Sequence, residues 1–496
     1  MNEARNQRSG SGLIRNWLGI AGAALAMGSL FAVLCLIAFD FLRGSSLPYM
    51  GLLTYLIIPG FIWIGLMLMG LGLWQDRRRK RRMAGPTSFP RIDLNNPRHR
   101  RALNLAVAVG FVFVLITAFG SFRGYEVTES VRFCGALCHT VMKPEYTTYQ
   151  NSPHARVRCT ACHIGPGASW FVRSKISGLY QVYAVLTNSY PRPIPVPVEN
   201  LRPARETCEE CHWPEKFYGA LERTYTHFLS AKENPRWTIR LLVKVGGANP
   251  THGPVGGIHW HMIVGNRIEY IPGDETRQSI PWIRMTNRKE GRVTVYESKD
   301  NPLPANQKNR AVRVLDCIDC HNRPTHIFQS PDQALNIALW LNRIDPSIPS
   351  IKVNAGRTLV ESAASPSQTQ GLQQIAEKLH KEYADYKDRR KIEQAVSETQ
   401  NIFRNNFFPE MKTTWQARPD NIGHRIFPGC FRCHDGRHVS KTGDTISHDC
   451  DACHTIIAQG PEPEKTTVSL SGLKFNHPGG EIPEGMLCND CHNGAP

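Results

Sequence analysis

Three stretches of the chain carry no charged residue over 21 positions or more: Leu18–Phe39, Gly51–Trp74 and Ala102–Phe122. A helix needs about 20 apolar residues to cross the ~30 Å hydrocarbon core of a bilayer, and the core helix of a water-soluble domain rarely stays uncharged that long. The pattern predicts three transmembrane helices, at about 18–39, 51–74 and 102–122, within a membrane anchor over residues 1–122. The first stretch is too long for a signal peptide and has no small-residue cleavage site after it, so it reads as a retained anchor.

Beyond Phe122 the pattern changes. Between Trp237 and Lys299 the runs TIRLLVKV, HWHMIV, RIEYI, SIPWIRMT and RVTVYES are broken by Gly and Asn, as short antiparallel strands are. Leu372–Phe403 shows helical spacing and predicts one or two helices. Ser330-Pro331-Asp332 reads as an N-cap and first turn leading into QALNIALWLNR. Residues 168–188, ASWFVRSKISGLYQVYAVLTN, mix Trp170, Phe171, Tyr180 and Tyr183 with Arg173 and Lys175. That is the composition of a segment lying in a bilayer interface, or of an ordinary amphipathic packing helix.

Charge gives the orientation. The segment Gln75–Arg101 holds ten basic residues, including RRRKRR at Arg77–Arg82, whereas Leu42–Met50 holds one. Basic loops stay in the cytoplasm, which puts everything after Phe122 outside. Between two apolar spans the basic run is a topology determinant, not a nucleic-acid site. Of the net charge of +17, residues 1–122 supply 14 Lys and Arg against 4 Asp and Glu, so the excess belongs mostly to the anchor.

The chemistry lies in the cysteines. Of fifteen, Cys35 sits alone in the first span. The rest form seven pairs: Cys134/Cys138, Cys159/Cys162, Cys208/Cys211, Cys317/Cys320, Cys430/Cys433, Cys450/Cys453 and Cys488/Cys491. Disulfides or zinc would explain pairs, but here a histidine directly follows each one: His139, His163, His212, His321, His434, His454 and His492. C-x-x-C-H is the attachment signature of c-type haem. Two thiols add to the two vinyl groups of one haem, and the adjacent imidazole turns to the iron. The count predicts seven covalent haems, attached outside the cytoplasmic membrane as the charge pattern requires. The first motif departs from the rest: Cys134 and Cys138 are separated by three residues, and Met142 follows His139 by three.

Electron-transfer haems usually carry two axial ligands, and eleven further histidines lie beyond the anchor. Those expected to complete the sites are His154, His227, His326, His424, His438 and His477. His261 is added from a second group that also contains His252, His259, His380 and His448. If HWHMIV is extended, His259 and His261 lie on one strand face. No P-loop, dinucleotide glycine motif or nucleophilic triad occurs.

The string CGALCHTVMKPEYTTYQNSPHARVRCTACHIGPG, continuing through WFVRSKISG, resembles the NapC/NirT-type membrane cytochromes c. The resemblance is strongest over residues 123–213. Over the whole chain the layout is similar to seven-haem inner-membrane cytochromes of the ImcH type. It implies oxidation of membrane quinol and delivery of electrons to external partners. It further implies a first haem at the membrane ligated by a methionine, which Met142 matches, a distal histidine at His154, and a lysine beside the quinol, which Lys175 matches. Simpler members have one span and four or five haems. The acidic residue that some place two turns beyond the lysine is replaced here by Gln181 and Tyr183. If Met142 ligates the first iron, His139 is displaced; the alternative is a His139-ligated haem with Met142 in a core.

The expected architecture is three N-terminal transmembrane α-helices followed by an external multihaem domain, mostly α or irregular with a small antiparallel β insertion. Its parts are 1–122, a NapC/NirT-like domain at 123–213 with haems 1–3, a β-rich insertion at 214–312, and a C-terminal domain at 313–496 with haems 4–7. The expected function is electron transfer from quinol or menaquinol, at a site with Lys175 and Met142, to a periplasmic cytochrome or reductase. The partners are then the quinol pool, the lipid bilayer, that acceptor and further subunits of a homo- or hetero-oligomer, and not nucleic acid. The expected location is the bacterial inner membrane, multi-pass, with the haem domain in the periplasm. The rival reading is a terminal reductase converting a small substrate at an open haem site. Intact mass under denaturing conditions should exceed that of the polypeptide by seven haem groups; an excess of five or fewer contradicts the cysteine argument.

Overall fold

The computed structural model describes residues 17–43, 58–83, 94–137, 139–165, 168–198, 201–213, 217–246, 256–263, 265–304, 311–461, 466–483 and 485–496. It comprises two compact units, Met1–His139 and Thr140–Pro496.

In the first unit, helices α1 (Trp17–Arg43), α2 (Ile58–Met83) and α3 (Pro97–Thr128) cover the apolar stretches, except 51–57, which lie outside the described residues. Trp17–Leu36 and Ile58–Gln75 are long and apolar enough to cross a membrane. The expected loop after Trp74 is not all loop, because α2 continues through RRRKRR to Met83; Arg and Lys are good helix formers. Asn96 caps α3, its side chain accepting from the Arg98 amide, with Pro97 at the first helical position. Helices α1 and α2 meet along glycines. A Cβ on Gly22 would lie 2.6 Å from the Gly65 carbonyl oxygen, and one on Gly72 would lie 2.8 Å from the Gly19 nitrogen. Small residues bring backbones together where no hydrophobic force acts between helices in lipid.

The second unit contains α4 (His139–Gln150) from its second residue on, and α5 (Ala168–Leu186). Its largest core belongs to α6 (Pro331–Trp340), α7 (Ile351–Ser362), α8 (Gln368–Glu382) and α9 (Arg389–Asn406). Leu335, Leu339, Ile351, Leu359, Ile375, Leu379, Ile392 and Phe403 fill it at helical spacing. Ser330 caps α6 in a reciprocal box with Gln333, as its sequence predicts; Ser367 and Asp388 cap α8 and α9. The C-terminus docks on this bundle: Trp415 Nε1 donates to the Asn493 carbonyl (2.9 Å). Gly494, at φ +86°, passes so close to Ser330 and Trp415 that a Cβ would clash.

The strands form two antiparallel sheets. One contains β1 (Leu221–Phe228), β2 (Arg236–Val243), β8 (His454–Gly460) and β9 (Thr467–Val468), in the order β1-β2-β8-β9. The other contains β3 (Asn266–Ile271), β4 (Trp282–Asn287), β5 (Arg292–Ser298), β6 (Arg313–Val314) and β7 (His438–Ser440), in the order β6-β3-β4-β5-β7. Two expectations from the sequence are corrected by these sheets, and one strand is added. Segment 214–312 is no separate domain, because both sheets are completed by strands from beyond 312. Strand β1 was not expected. HWHMIV is not a strand but a 3₁₀ turn, Ile258–Met262. Gly257 forces that turn, at φ +103° and so close to the Lys244 carbonyl that a Cβ would collide with it.

A buried charge group ties the bundle to β1. Asp332, 8% exposed, meets Lys352 Nζ at 2.7 Å and Arg425 at 2.6 Å. Lys352, 3% exposed, also donates to the Phe228 carbonyl. Burial alone would raise the Asp332 pKa, but Arg425 and Lys352 pull it down to about 2. Its folded pKa lies below its unfolded value near 4, so its stabilisation is present above pH ~4 and is lost as pH falls toward 2. Asp332→Asn leaves Lys352 buried without its counter-charge and should cost about 3–5 kcal/mol in denaturant unfolding of the full chain. A loss below about 1 kcal/mol would contradict a buried, paired lysine.

Candidate haem sites

Each regular motif includes or adjoins a short helical turn, α-helical at Cys159–His163, Arg205–Cys208, Cys317–Cys320 and Cys488–Cys491 and 3₁₀ at Gly429–Arg432 and Cys450–Ala452; in the third, Cys211 and His212 follow the helix in a turn. Two thiols three apart fall on one face of such a turn. The histidine amide closes it, donating to the first cysteine's carbonyl: His212 to Cys208 (2.8 Å), His321 to Cys317 (2.8 Å), His434 to Cys430 (3.0 Å) and His492 to Cys488 (2.9 Å). Asp319 and Asp490, next to the second cysteines, accept from the backbone amides of Asp316 (2.7 Å) and Leu487 (2.9 Å).

No disulfide involves Cys208, Cys211, Cys317, Cys320, Cys430, Cys433, Cys450, Cys453, Cys488 or Cys491. Burial pushes Cys317 and Cys433 up to about 12 and Cys320 up to about 11. These are neutral thiols. Among the described residues no three His, Cys, Asp or Glu side chains converge as a zinc site requires.

All six regular motif histidines face one other histidine. The ring centroids are 6.3 Å apart for His163/His326, 6.1 Å for His212/His154, 6.2 Å for His321/His259, 5.8 Å for His434/His261, 6.2 Å for His454/His424 and 6.0 Å for His492/His477. An imidazole binds a first-row metal at ~2 Å, so one iron between two rings separates their centroids by roughly 6 Å. The spacing fits.

The proton positions fit as well. Nδ1 faces a backbone carbonyl in His154 (Pro324, 3.0 Å), His326 (Glu145, 2.9 Å), His259 (Val245, 2.7 Å), His261 (Ile258, 2.6 Å) and His434 (Ser447, 2.8 Å). A carbonyl only accepts, so Nδ1 carries the proton and Nε2 keeps its lone pair, as in metal-bound histidines. His477 is the exception, its Nδ1 accepting from the Gly479 amide (3.1 Å). Burial holds His326 and His424 down to about 4, keeping both rings neutral. In the His424/His454 pair both Nδ1 atoms are buried without a hydrogen-bond partner.

Other expected histidines lie elsewhere. His438 spends both ring nitrogens, Nδ1 on Asp435 (2.9 Å) and Nε2 on the Ile280 carbonyl (2.7 Å), leaving no lone pair for iron. His227, in β1, is not ring-paired with a motif histidine; Asn336 donates to its Nδ1 at 3.4 Å. His380 meets Glu393 on the surface of α8 (2.9 Å). His448 is exposed, and His252 lies outside the described residues. The turn at Ile258–Met262 sends His259 to the fourth motif and His261 to the fifth, where a strand would have put both on one face. The signal for this was the glycine pair ahead of H-x-H.

Neighbouring motifs are laced together in chain order. The Ala204 amide, before the third, donates to Asp316 Oδ2 at the fourth (2.9 Å). Arg432, inside the fifth, donates to the Asp319 carbonyl of the fourth (2.7 Å). Ser447, anchoring His434 of the fifth, lies three residues before Cys450 of the sixth. In the first motif, Cys138 lies outside the described residues; Met142 is half-buried on α4.

Lys175 lies on α5 with its Nζ 4.6 Å from the Phe171 ring centroid. Around it Val172, Ile176, Leu179, Tyr180, Tyr183 and Leu186 form an exposed apolar stripe, Leu179 at 73% and Leu186 at 81%.

Residues 96–193 match the family described as NapC/NirT cytochrome c family, N-terminal region. Cytochrome c-type protein ImcH of Geobacter sulfurreducens is 42% identical over 501 positions, covering 98% of this chain and 97% of the relative. Cytochrome c-type protein NrfH of Wolinella succinogenes is 31% identical over 110 positions, 22% of this chain and 60% of the relative. No solved structure gives a significant match.

The ring pairs separate two kinds of variant. His261→Ala should remove one low-spin signal from the optical spectrum and leave the number of attached haems unchanged. His438→Gln and His380→Gln should alter neither. A spectrum unaffected by His261→Ala contradicts the pairing.

Proposed function

Because the chain belongs to the NapC/NirT cytochrome c family, we propose that it is a membrane-anchored heptahaem cytochrome that takes electrons from membrane quinol or menaquinol and passes them to a periplasmic cytochrome or reductase. The observation that carries the reading is the set of six histidine pairs at 5.8–6.3 Å. Haem, when bound, supplies the one-electron chemistry; the chain's residues hold it and tune it.

The motif spacing supports these roles. Each pair of thiols would attach one haem: Cys134 and Cys138, Cys159 and Cys162, Cys208 and Cys211, Cys317 and Cys320, Cys430 and Cys433, Cys450 and Cys453, and Cys488 and Cys491. His163, His212, His321, His434, His454 and His492 ligate from the motif side. His326, His154, His259, His261, His424 and His477 ligate from the other. Carbonyl-anchored rings with bare Nε2 atoms are preorganised, so little rearrangement accompanies a change of charge between them. The hydrogen bonds between motifs favour transfer in chain order through the third to sixth sites. Six filled pairs weigh against a terminal reductase, which needs an open position.

Quinol oxidation belongs at the first motif. Met142 and His139 lie one turn apart on α4, and a methionine ligand raises the potential of a haem, which favours withdrawal of electrons from quinol. The exposed stripe of α5 has the form of a helix lying in a bilayer interface, where the Lys175 ammonium would donate a hydrogen bond to a quinol oxygen. The anchor crosses the inner membrane three times, with RRRKRR inside and the haem domain in the periplasm. Lys175→Met keeps the apolar stem and removes the donor. It should slow quinol-driven haem reduction about tenfold or more, since a charge-assisted hydrogen bond contributes ~1.5–3 kcal/mol. Reduction by dithionite should be unchanged. A wild-type rate from quinol places the quinol site elsewhere.

A further inference from the structure

The six ring pairs differ in the angle between their planes. His321/His259 are parallel within 2° and His454/His424 within 22°. The others are turned by 48° (His163/His326), 51° (His492/His477), 74° (His212/His154) and 89° (His434/His261). Only the two near-parallel pairs, among the described residues, carry a phenylalanine flat on the non-motif ring. Phe217 lies on His259 at 4.4 Å and 27°, and Phe431 lies on His424 at 4.1 Å and 22°. Where another aromatic touches a non-motif ring it meets it edge-on, and the pair is turned: Trp260 meets His261 at 81° and Phe475 meets His477 at 73°.

An imidazole's ring torsion is broad. A hydrogen bond at Nδ1 usually fixes it, but His424 and His454 have none there. Stacking, which contributes about 0.5–1.5 kcal/mol for an aromatic pair, is then what sets the plane of His424, whereas at His259 it acts beside the Nδ1 hydrogen bond to the Val245 carbonyl (2.7 Å). The donors of the stack are also placed with purpose. Phe431 lies between the two cysteines of the fifth motif, and Phe217 lies five residues past His212 of the third. In both cases an aromatic held by one motif orients the ring that faces the next.

We propose that Phe217 and Phe431 are positioning residues that hold His259 and His424 coplanar with their motif partners, making the fourth and sixth haem sites an electronic class distinct from the third and fifth. The inference rests on the ligation proposed above. Two axial imidazole planes that are parallel act on the same iron d orbital and split it from its neighbour; perpendicular planes leave the two nearly degenerate. Ferric low-spin sites of the first kind give rhombic electron paramagnetic resonance signals. Sites of the second kind give a single broad feature at large g, and the two kinds differ in midpoint potential. The chain then alternates in class from the third site to the sixth.

The test is low-temperature electron paramagnetic resonance of the oxidised full chain in detergent, with haem content read by mass. The unaltered protein should show both signal types. Phe431→Leu should move one rhombic signal to large g with haem content unchanged, and Phe431→Tyr, which keeps the stack, should retain it. Phe217→Leu, outside any motif, should shift a second rhombic signal by less, because the Val245 hydrogen bond to His259 remains. Rhombic signals unchanged in both leucine variants overturn the proposal while leaving the ligation intact. Failure of the ligation itself shows differently: the unaltered chain would then display high-spin ferric signals at these sites before any substitution.

Discussion

One separation governs the second unit: two imidazoles must stand about 6 Å apart, with bare nitrogens facing, for one iron to bind both. Every regular motif meets this separation with a histidine outside its own turn. Some partners are distant in sequence. His326 reaches back past the fourth and third motifs to the second, and His154 reaches forward past the second to the third. On the proposed ligation each pair would staple two segments, and the loops that carry the rings would need little regular structure of their own. Much of the chain around the motifs is accordingly irregular.

The polypeptide supplies rigidity where the staples do not. The bundle α6–α9 contains no haem motif and holds the largest apolar core. It grips the last motif through Trp415 and Asn493 and grips β1 through Lys352 and Asn336. Glu145 connects α4 to the same framework. Its carbonyl anchors the His326 ring, while its carboxylate meets the buried guanidinium of Arg418 at 3.1 Å. At the fourth motif, Asp319 is 3% exposed and accepts from Tyr270 (2.8 Å) and Arg313 (2.9 Å). A residue inside an attachment motif is thus part of a sheet's polar core. Attachment sites and fold are one construction, which explains why 214–312 does not separate from the C-terminal residues.

What the sequence made legible was local. Apolar runs, caps such as Ser330, and two thiols and an imidazole on one turn all depend on residues within a few positions of each other. The choice of distal histidine does not. His438, one turn from a motif, ranked above His261, yet His438 gives both nitrogens to Asp435 and Ile280, whereas His261 gives Nδ1 to Ile258 and keeps Nε2. Which nitrogen meets a carbonyl is decided by packing between remote segments. HWHMIV read as a strand because its apolar residues alternate; Gly257 overrode that alternation with a left-handed turn. Strand β1 gave no strand signal because most of its length is exposed and polar on both faces.

The account's central claim is six iron sites each held by two histidines, with a different site at the first motif. Near-infrared magnetic circular dichroism of the oxidised full chain reads axial ligation directly, since His/His and His/Met pairs give charge-transfer bands at separate energies. The account predicts a band whose intensity corresponds to six His/His sites, and a seventh haem outside it. An intensity corresponding to four sites or fewer would contradict the pairing on which the function rests.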